Sequence, residues 1–382
     1  LCVKGFCRLD VEKRKLEWTV DGGQSCMDVV SLLKKALAMD ASDIHLTVGT
    51  SPVLRINGVL VKLEAGEEMG YPLTQSDTMQ AVRALMTDEQ FETWKQKGEL
   101  DFSYSLPGVG RFRVSSYRQR GCATLAIRLM PYIVPSLESL GLPPAVAGMA
   151  DKKQGLVLVT GPAGSGKSTT LAALIDKINR ERACHIITIE DPIEYLHQHK
   201  KSIVEQREIG SDTHSMTAAL QASLRQDPDV IVVGDMRALE TISTSITAAD
   251  TGHLVFATMH TNSAAKTVEH IIEVFPAGQQ EQIKVQLAAT LQGVITQQLL
   301  PCRAGSGRVL AAEVLIATPA VRSLIREGKT HQLSNAMQTG GRWGMATMDM
   351  SLKELVRTGQ VSLETALQYC ADRESFTRGL SS

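Results

Sequence analysis

Along the first third of the chain, apolar residues recur at helical spacing where Val29, Val30, Leu32, Leu33, Ala36 and Leu37 fall on one stripe, which predicts a half-buried helix opening at Met27. Residues 1–26 show no clear period. A domain is therefore expected to begin at Met27, and the sequence leaves open whether the preceding residues are an upstream extension or an artefact of start-site choice. After the helix, SDIHLTVG alternates as a strand does, and PVLRINGVLVKL reads as two strands around Asn57-Gly58, a strong two-residue hairpin signal. Helical stretches at 74–86 and 88–97 precede three more strand candidates, DFSYSL, GRFRVSSYRQR and ATLAIRLM. This mixture predicts a small α+β domain with an antiparallel sheet over 27–130.

The pattern then changes. The Pro-rich run PYIVPSLESLGLPPAVAG reads as a linker over 131–150. Beyond it, the strand candidates LVLVT, HIITI, DVIVV and LVFATMH alternate with helical stretches, among them 216–225, 238–249 and 264–274. Such βα order predicts a second domain, 151–382, of α/β class with a mostly parallel sheet covered by helices on both faces. From about Glu281 the expectation is mainly helical, with one strand candidate at AAEVLIA, and no repeat of fixed period is visible.

Composition narrows the classes. A chain of 382 residues suits two domains, and 43% hydrophobic with 21% charged residues reads as globular rather than disordered. A formal net charge of -1 gives no electrostatic reason to expect nucleic acid. Cys2, Cys7, Cys26, Cys122, Cys184, Cys302 and Cys370 are scattered, odd in number and form no C-x-x-C pair, which fits free thiols in a reducing compartment. No apolar run is long enough to cross a bilayer, and the N-terminal residues lack the apolar core of a signal peptide, so a cytoplasmic location is expected.

The richest chemistry lies in LVLVTGPAGSGKSTT, residues 156–170. An apolar strand runs into Gly161, Pro162, Ala163, Gly164, Ser165 and Gly166, followed by Lys167, Ser168 and Thr169 at the head of a helix stripe formed by Leu171, Leu174, Ile175 and Ile178. This is the pattern G-x-x-x-x-G-K-[ST], in which backbone N–H groups and a helix N-terminus surround phosphates. Lys167 would reach the outer phosphates, and Ser168 would sit on Mg²⁺. The plain alternative is a Gly-rich turn joining strand to helix; the match at every fixed position favours a nucleoside triphosphate. In a parallel sheet the ligand lies at the carboxyl ends of the strands, which points to Glu190, Asp191 and Glu194 after HIITI, Asp235 after VIVVG and His260 after LVFATM. A lone acid there is usually a turn former or helix cap, but several beside one phosphate loop favour catalysis. Glu194 could accept a proton from the attacking water, and Asp235 could hold the metal or its waters. His260 could contact the γ-phosphate, a reading that weighs no more than a satisfied interior histidine. In the first domain, Arg111, Arg113, Arg118, Arg120 and Arg128 fall on the last two strand candidates, with Arg111 and Arg113 on one face. Spacing alone slightly prefers a solvated outer face to an anion site.

With these residues placed, the chain resembles the type IV pilus retraction ATPases, the PilT/PilU family within the secretion ATPase superfamily, from about Met27 nearly to the C-terminus. GPAGSGKST matches Walker A, TIEDPIEY the Asp box, VGDMRALETI Walker B and TGHLVFATMHTNSAAKT the His box; TPAVRSLIREGK and MQTGGRWGMATMDMSLKEL resemble C-terminal segments of the retraction subgroup. The resemblance implies a PAS-like domain joined to a RecA-like P-loop ATPase domain, with ATP and Mg²⁺ bound between subunits of a homo-hexameric ring. That ring would act at the pilus base through an inner-membrane platform protein, with a paralogous retraction ATPase as a further partner. It implies that Glu194 is the catalytic glutamate and that Arg111, Arg113 and Arg128 reach a neighbouring nucleotide. Two departures stand out: Asp235 where the family carries Glu, and Ala238 where it usually carries an acid. Pilus-assembly and type II secretion ATPases usually have paired C-x-x-C motifs, whereas Cys302 stands alone here. An ATP-binding subunit with little turnover remains a rival because of Asp235 and Ala238. A nucleic-acid translocase is disfavoured by the lack of a basic and aromatic stripe.

Overall fold

A computed structural model of the chain describes residues 28–64, 70–130, 133–304 and 307–378. The expectation for 1–26 lies outside them. The described chain divides into two compact units, the first running to Tyr104 and resuming over Val114–Leu129, the second comprising Ser105–Arg113 and everything from Met130 onward.

In the first unit the side chain of Asp28 accepts from the backbone N–H groups of Val30 and Ser31 and so opens α1 (Val29–Ala38), which buries Val29, Leu32, Leu33 and Ala36. Strands β1 (Ala41–Leu46), β2 (Val53–Ile56) and β3 (Val59–Lys62) follow, the last two joined through Asn57 and Gly58, both at positive φ. That is the turn the dipeptide predicts. Capping boxes at Thr74/Asp77 and Thr87/Gln90 open α2 (Gln75–Leu85) and α3 (Asp88–Lys97). β4 (Glu99–Leu106), β5 (Gly110–Gln119) and β6 (Cys122–Leu129) complete a sheet of order β3-β2-β1-β6-β5-β4, in which β1 is antiparallel to both β2 and β6. Arg120 lies in the turn after β5 rather than on the strand.

The second unit begins with short helical pieces, including α4 (Ala147–Ala150), where a plain linker was expected. Then come β7 (Gly155–Thr160), α5 (Lys167–Glu181), β8 (His185–Glu190), β9 (Ile203–Glu208), α6 (Met216–Ser223), β10 (Val230–Val233), α7 (Leu239–Asp250), β11 (Leu254–Met259), α8 (Ala264–Glu273) and α9 (Ala277–Thr290). β12 (Leu291–Pro301) and β13 (Arg308–Ile316) precede a helical end, α10 (Pro319–Arg326), α11 (Leu333–Thr339), α12 (Met348–Arg357), α13 (Leu363–Tyr369) and α14 (Arg373–Arg378). The sheet runs β13-β12-β7-β11-β10-β8-β9 and is parallel except for β13.

Strand periodicity sorts β7 between two cores. Leu156 and Leu158 join Ile242, Val268 and Leu287 of α7, α8 and α9 on one face; Val157 and Val159 join Leu171, Leu174 and Ile178 of α5 on the other. Two strands depart from expectation. β12 occupies a stretch expected to be helical: its β-branched run Val294-Ile295-Thr296 is buried between β7 and β13, where a pleated surface suits branched side chains. β9 went unrecognised because, as an edge strand, it mixes exposed Ile203 and Glu205 with buried Val204 and Glu208. Since β7 pairs with β12 on one side and β11 on the other, the loop leaving β7 opens at the crevice where parallel α/β sheets place ligands.

Candidate active site

The loop from β7 to α5 takes its shape from glycine. Gly161 sits at φ 140°, and a Cβ there would lie 2.4 Å from the carbonyl oxygen of Gln297 on β12. Only glycine lets the chain pass. No side chain caps α5 at Gly166, so the first N–H groups of that helix point outward without a partner from its own cap, as an anion site requires. Lys167 is nearly buried and donates from Nζ to the carbonyls of Gly161 at 2.8 Å and Pro162 at 2.9 Å. Burial pushes its pKa down, while Asp235 and Glu194 pull it back up and Arg237 lowers it further. Those two carboxylates, from separate strand ends, therefore act on the same ammonium group.

Gly234 brings β10 close beneath β8: its N–H donates to the Ile189 carbonyl at 2.8 Å, and a Cβ would approach that oxygen to 2.9 Å. The next residue, Asp235, meets Arg237 Nε through Oδ2 at 2.6 Å, while its Oδ1 is buried without a protein partner. His260, at the end of β11, lies 3.8 Å from the same Oδ2 and 2.9 Å from Arg237 Nη2. A guanidinium can only donate, so His260 Nε2 accepts and its proton sits on Nδ1. Burial, then the charge of Lys167, lowers the His260 pKa against the opposing pull of Asp235. The neutral ring is favoured.

Glu190 at the end of β8, with Asp191 and Glu194 in the loop to β9, lines a cleft with Ser168 of α5 and Thr258 of β11. Tyr195 reaches Thr169 through its hydroxyl at 3.0 Å. His197 borders the same cleft, and burial pushes its pKa down to about 4. On the other side of α5 a second cleft is bounded by Gly166, Thr169, Thr170, Gln297, Leu299 and Arg308. There Gln297 donates to Thr170 Oγ1 at 2.7 Å and keeps a buried Oε1 without a protein partner.

The structure thus brings together Lys167, Ser168, Glu194, Asp235 and His260. The three arginines are placed differently. Arg111 forms a mostly buried ion pair with Glu208 and donates to the Ile193 carbonyl at 3.0 Å. Arg128 holds Asp43 at 2.9 Å across the β1/β6 pair, and Arg113 is exposed on β5. Sequence reading missed Arg237, whose only signal was its place two residues after Asp235. Ala238 turns out to be the N-cap of α7, with extended backbone and no side-chain cap. An acid there would serve the helix, so Ala238→Asp should raise stability by about 1 kcal/mol; thermal unfolding checks this, and no gain would mean that an acid at this position does not cap α7.

Residues 21–368 match the family model described as Type II/IV secretion system protein. The chain is 45% identical, over 92% of its length, to the whole of the type IV pilus retraction ATPase PilT of Pseudomonas aeruginosa. It is 44% identical to a twitching motility protein of Neisseria gonorrhoeae, covering 94% of this chain and 95% of that one. Among solved structures, the pilus retraction motor PilT with bound ADP superposes with a TM-score of 0.86 at 46% identity, covering 92% of this chain and 99% of that one. Among the described residues no helix is long and apolar enough to cross a membrane.

Proposed function

The chain belongs to the Type II/IV secretion system protein family, and we propose that within it the chain is an ATP-hydrolysing motor that drives retraction of type IV pili. The observation that carries this reading is the meeting of Lys167, Glu194 and Asp235 at one phosphate loop. The larger unit is a RecA-like P-loop ATPase fold. We read the smaller α+β unit as its PAS-like partner and the working form as a ring of six copies. The ring would sit on the cytoplasmic side of the inner membrane and act through a platform protein, with a paralogous retraction ATPase as a further partner.

The residues divide the chemistry as follows. Backbone N–H groups of residues 163–169, which include the start of α5, receive the phosphates, and Lys167 exchanges its two loop carbonyls for phosphate oxygens. The second cleft, with Gln297 and Arg308, takes the nucleoside end. Glu194 orients the attacking water and accepts its proton. His260, held neutral with Nδ1 protonated, offers a donor toward the terminal phosphoryl group while Arg237 fixes its other nitrogen. The donors suit Mg²⁺: Ser168 and the unpartnered Asp235 Oδ1 are hard oxygens, and among the described residues no cluster of three His, Cys, Asp or Glu forms a protein-only cage. Mg²⁺ typically keeps waters and phosphate oxygens as its remaining ligands. Once bound, it neutralises charge on the phosphate oxygens. A role for Arg111, Arg113 or Arg128 in a neighbouring subunit's site would require Arg111 and Arg128 to exchange Glu208 and Asp43 for the nucleotide.

Asp235 bears on the level of activity. It is one methylene shorter than the expected glutamate, and Arg237 already holds one of its oxygens. Phosphate release measured against protein concentration, with oligomer mass taken on the same samples, should show slow turnover that rises as rings assemble, and Asp235→Glu should raise it severalfold. A wild-type chain that turns over no ATP, beside an active Asp235→Glu, would assign the chain as a nucleotide-binding subunit dependent on an active paralogue.

A further inference from the structure

The loop carrying Glu194 has no regular secondary structure, yet side chains hold its main chain at Ile193, Tyr195 and His197. Glu208 on β9 accepts the N–H of Ile193 at 2.9 Å. Burial pushes up the pKa of the Glu190 carboxyl, at the end of β8, and the nearby N–H of Glu194 favours its ionised form against that effect. Gln206, on the neighbouring β9, donates to the Tyr195 carbonyl at 2.8 Å and accepts from the N–H of His197 at 2.8 Å. Its second amide hydrogen goes to Glu190 Oε1 at 3.1 Å, and Thr188 completes that oxygen from 2.6 Å. The parallel register that sets Thr188 opposite Gln206 and Glu190 opposite Glu208 is what brings these groups to one place.

We propose that Glu190 and Gln206 are positioning residues for Glu194: Gln206 fixes the backbone that follows it and Glu190 holds Gln206 in place beside the Glu194 N–H, so that the Glu194 carboxylate stays directed at Lys167 and Ser168. The proposal rests on the reading of Glu194 as the base. Without the clamp, the loop keeps its place in the chain but loses the orientation of one side chain, and sub-ångström placement is what proton transfer from a bound water demands. Glu190→Gln is nearly isosteric. Its single carbonyl oxygen can still serve Thr188 and Gln206, but the amide nitrogen then confronts the Glu194 N–H with a second donor. Gln206→Leu removes three hydrogen bonds with little change in volume.

Steady-state ATP hydrolysis by the full chain tests this. Each variant should lower kcat roughly ten- to hundredfold while leaving KM for ATP within about twofold. Because the effect passes through Glu194, the double variant Glu194→Gln/Gln206→Leu should be no slower than Glu194→Gln alone. Losses that multiply in the double variant, a kcat within twofold of wild type in Glu190→Gln and Gln206→Leu, or a raised KM at unchanged kcat would overturn the proposal. If Gln206→Leu does not fold, the comparison of Glu194→Gln with Glu190→Gln/Glu194→Gln decides by the same rule. Should Glu194→Gln by itself keep full turnover, the reading of Glu194 as the base falls, and the positioning role falls with it.

Discussion

Lys167→Met should reduce ATP turnover by about a hundred- to a thousandfold or more, the order lost when one preorganised cation or donor is taken from developing phosphoryl charge. The charge is what matters. At 4 Å and an effective dielectric of 20, a unit charge contributes about 4 kcal/mol, enough for a factor of that size. Methionine keeps the apolar stem of a side chain that is only 8% exposed, so the fold is expected to survive. The variant does leave the carbonyls of Gly161 and Pro162 without their donor, and a modest drop in thermal midpoint is expected on that account. Binding supplies the second readout. Wild-type chain should melt higher in the presence of Mg·ADP, by mass action on the folded state, and the variant should lose most of that rise. Normal turnover with an intact nucleotide-induced shift would remove Lys167, and with it the phosphate loop, from the active site.

How much of this was legible in the sequence depends on distance along the chain. The phosphate loop is local: nine consecutive residues carry the glycines, the lysine and the hydroxyls, and the structure places them as their spacing predicts. Glu194, Asp235 and His260 are far apart but legible through topology, because each follows an apolar run and parallel strands deliver their ends to one edge. Side chains whose partners come from elsewhere could not be read in the same way. Arg111 was grouped with a basic face, yet its partner Glu208 lies 97 residues away, on a strand too polar to be recognised. Gln206 gave no signal at all, since a neutral amide in IVEQRE marks neither a core nor a motif. β12 was lost for a related reason: buried on both faces of the sheet, it has no alternation to betray a strand, and only its branched residues hinted at one.

Glu194→Gln is expected to give the other large loss, a fall in kcat of about a hundred- to ten-thousandfold, the usual reach of general-base catalysis. Here binding should persist. Glu194 acts on Lys167 only through space, and among the described residues no hydrogen bond or ion pair ties its side chain to the loop glycines or to α5, so the phosphates should still be received. Replacing a carboxylate beside an incoming triphosphate with a neutral amide also removes a like-charge repulsion, so affinity for ATP should hold or rise. The variant should therefore bind ATP, keep it and turn it over slowly, which separates it cleanly from Lys167→Met. Mixed with wild type, it also reports on assembly. If subunits fire independently, the rate falls in proportion to the variant's share. In a ring where each step waits for a neighbour, a minority of ATP-locked subunits stalls the rest, and the rate falls faster than that share. Parallel loss of binding and turnover would instead show that Glu194 supports the fold of the loop, and the base would have to be sought among Glu190 and Asp235.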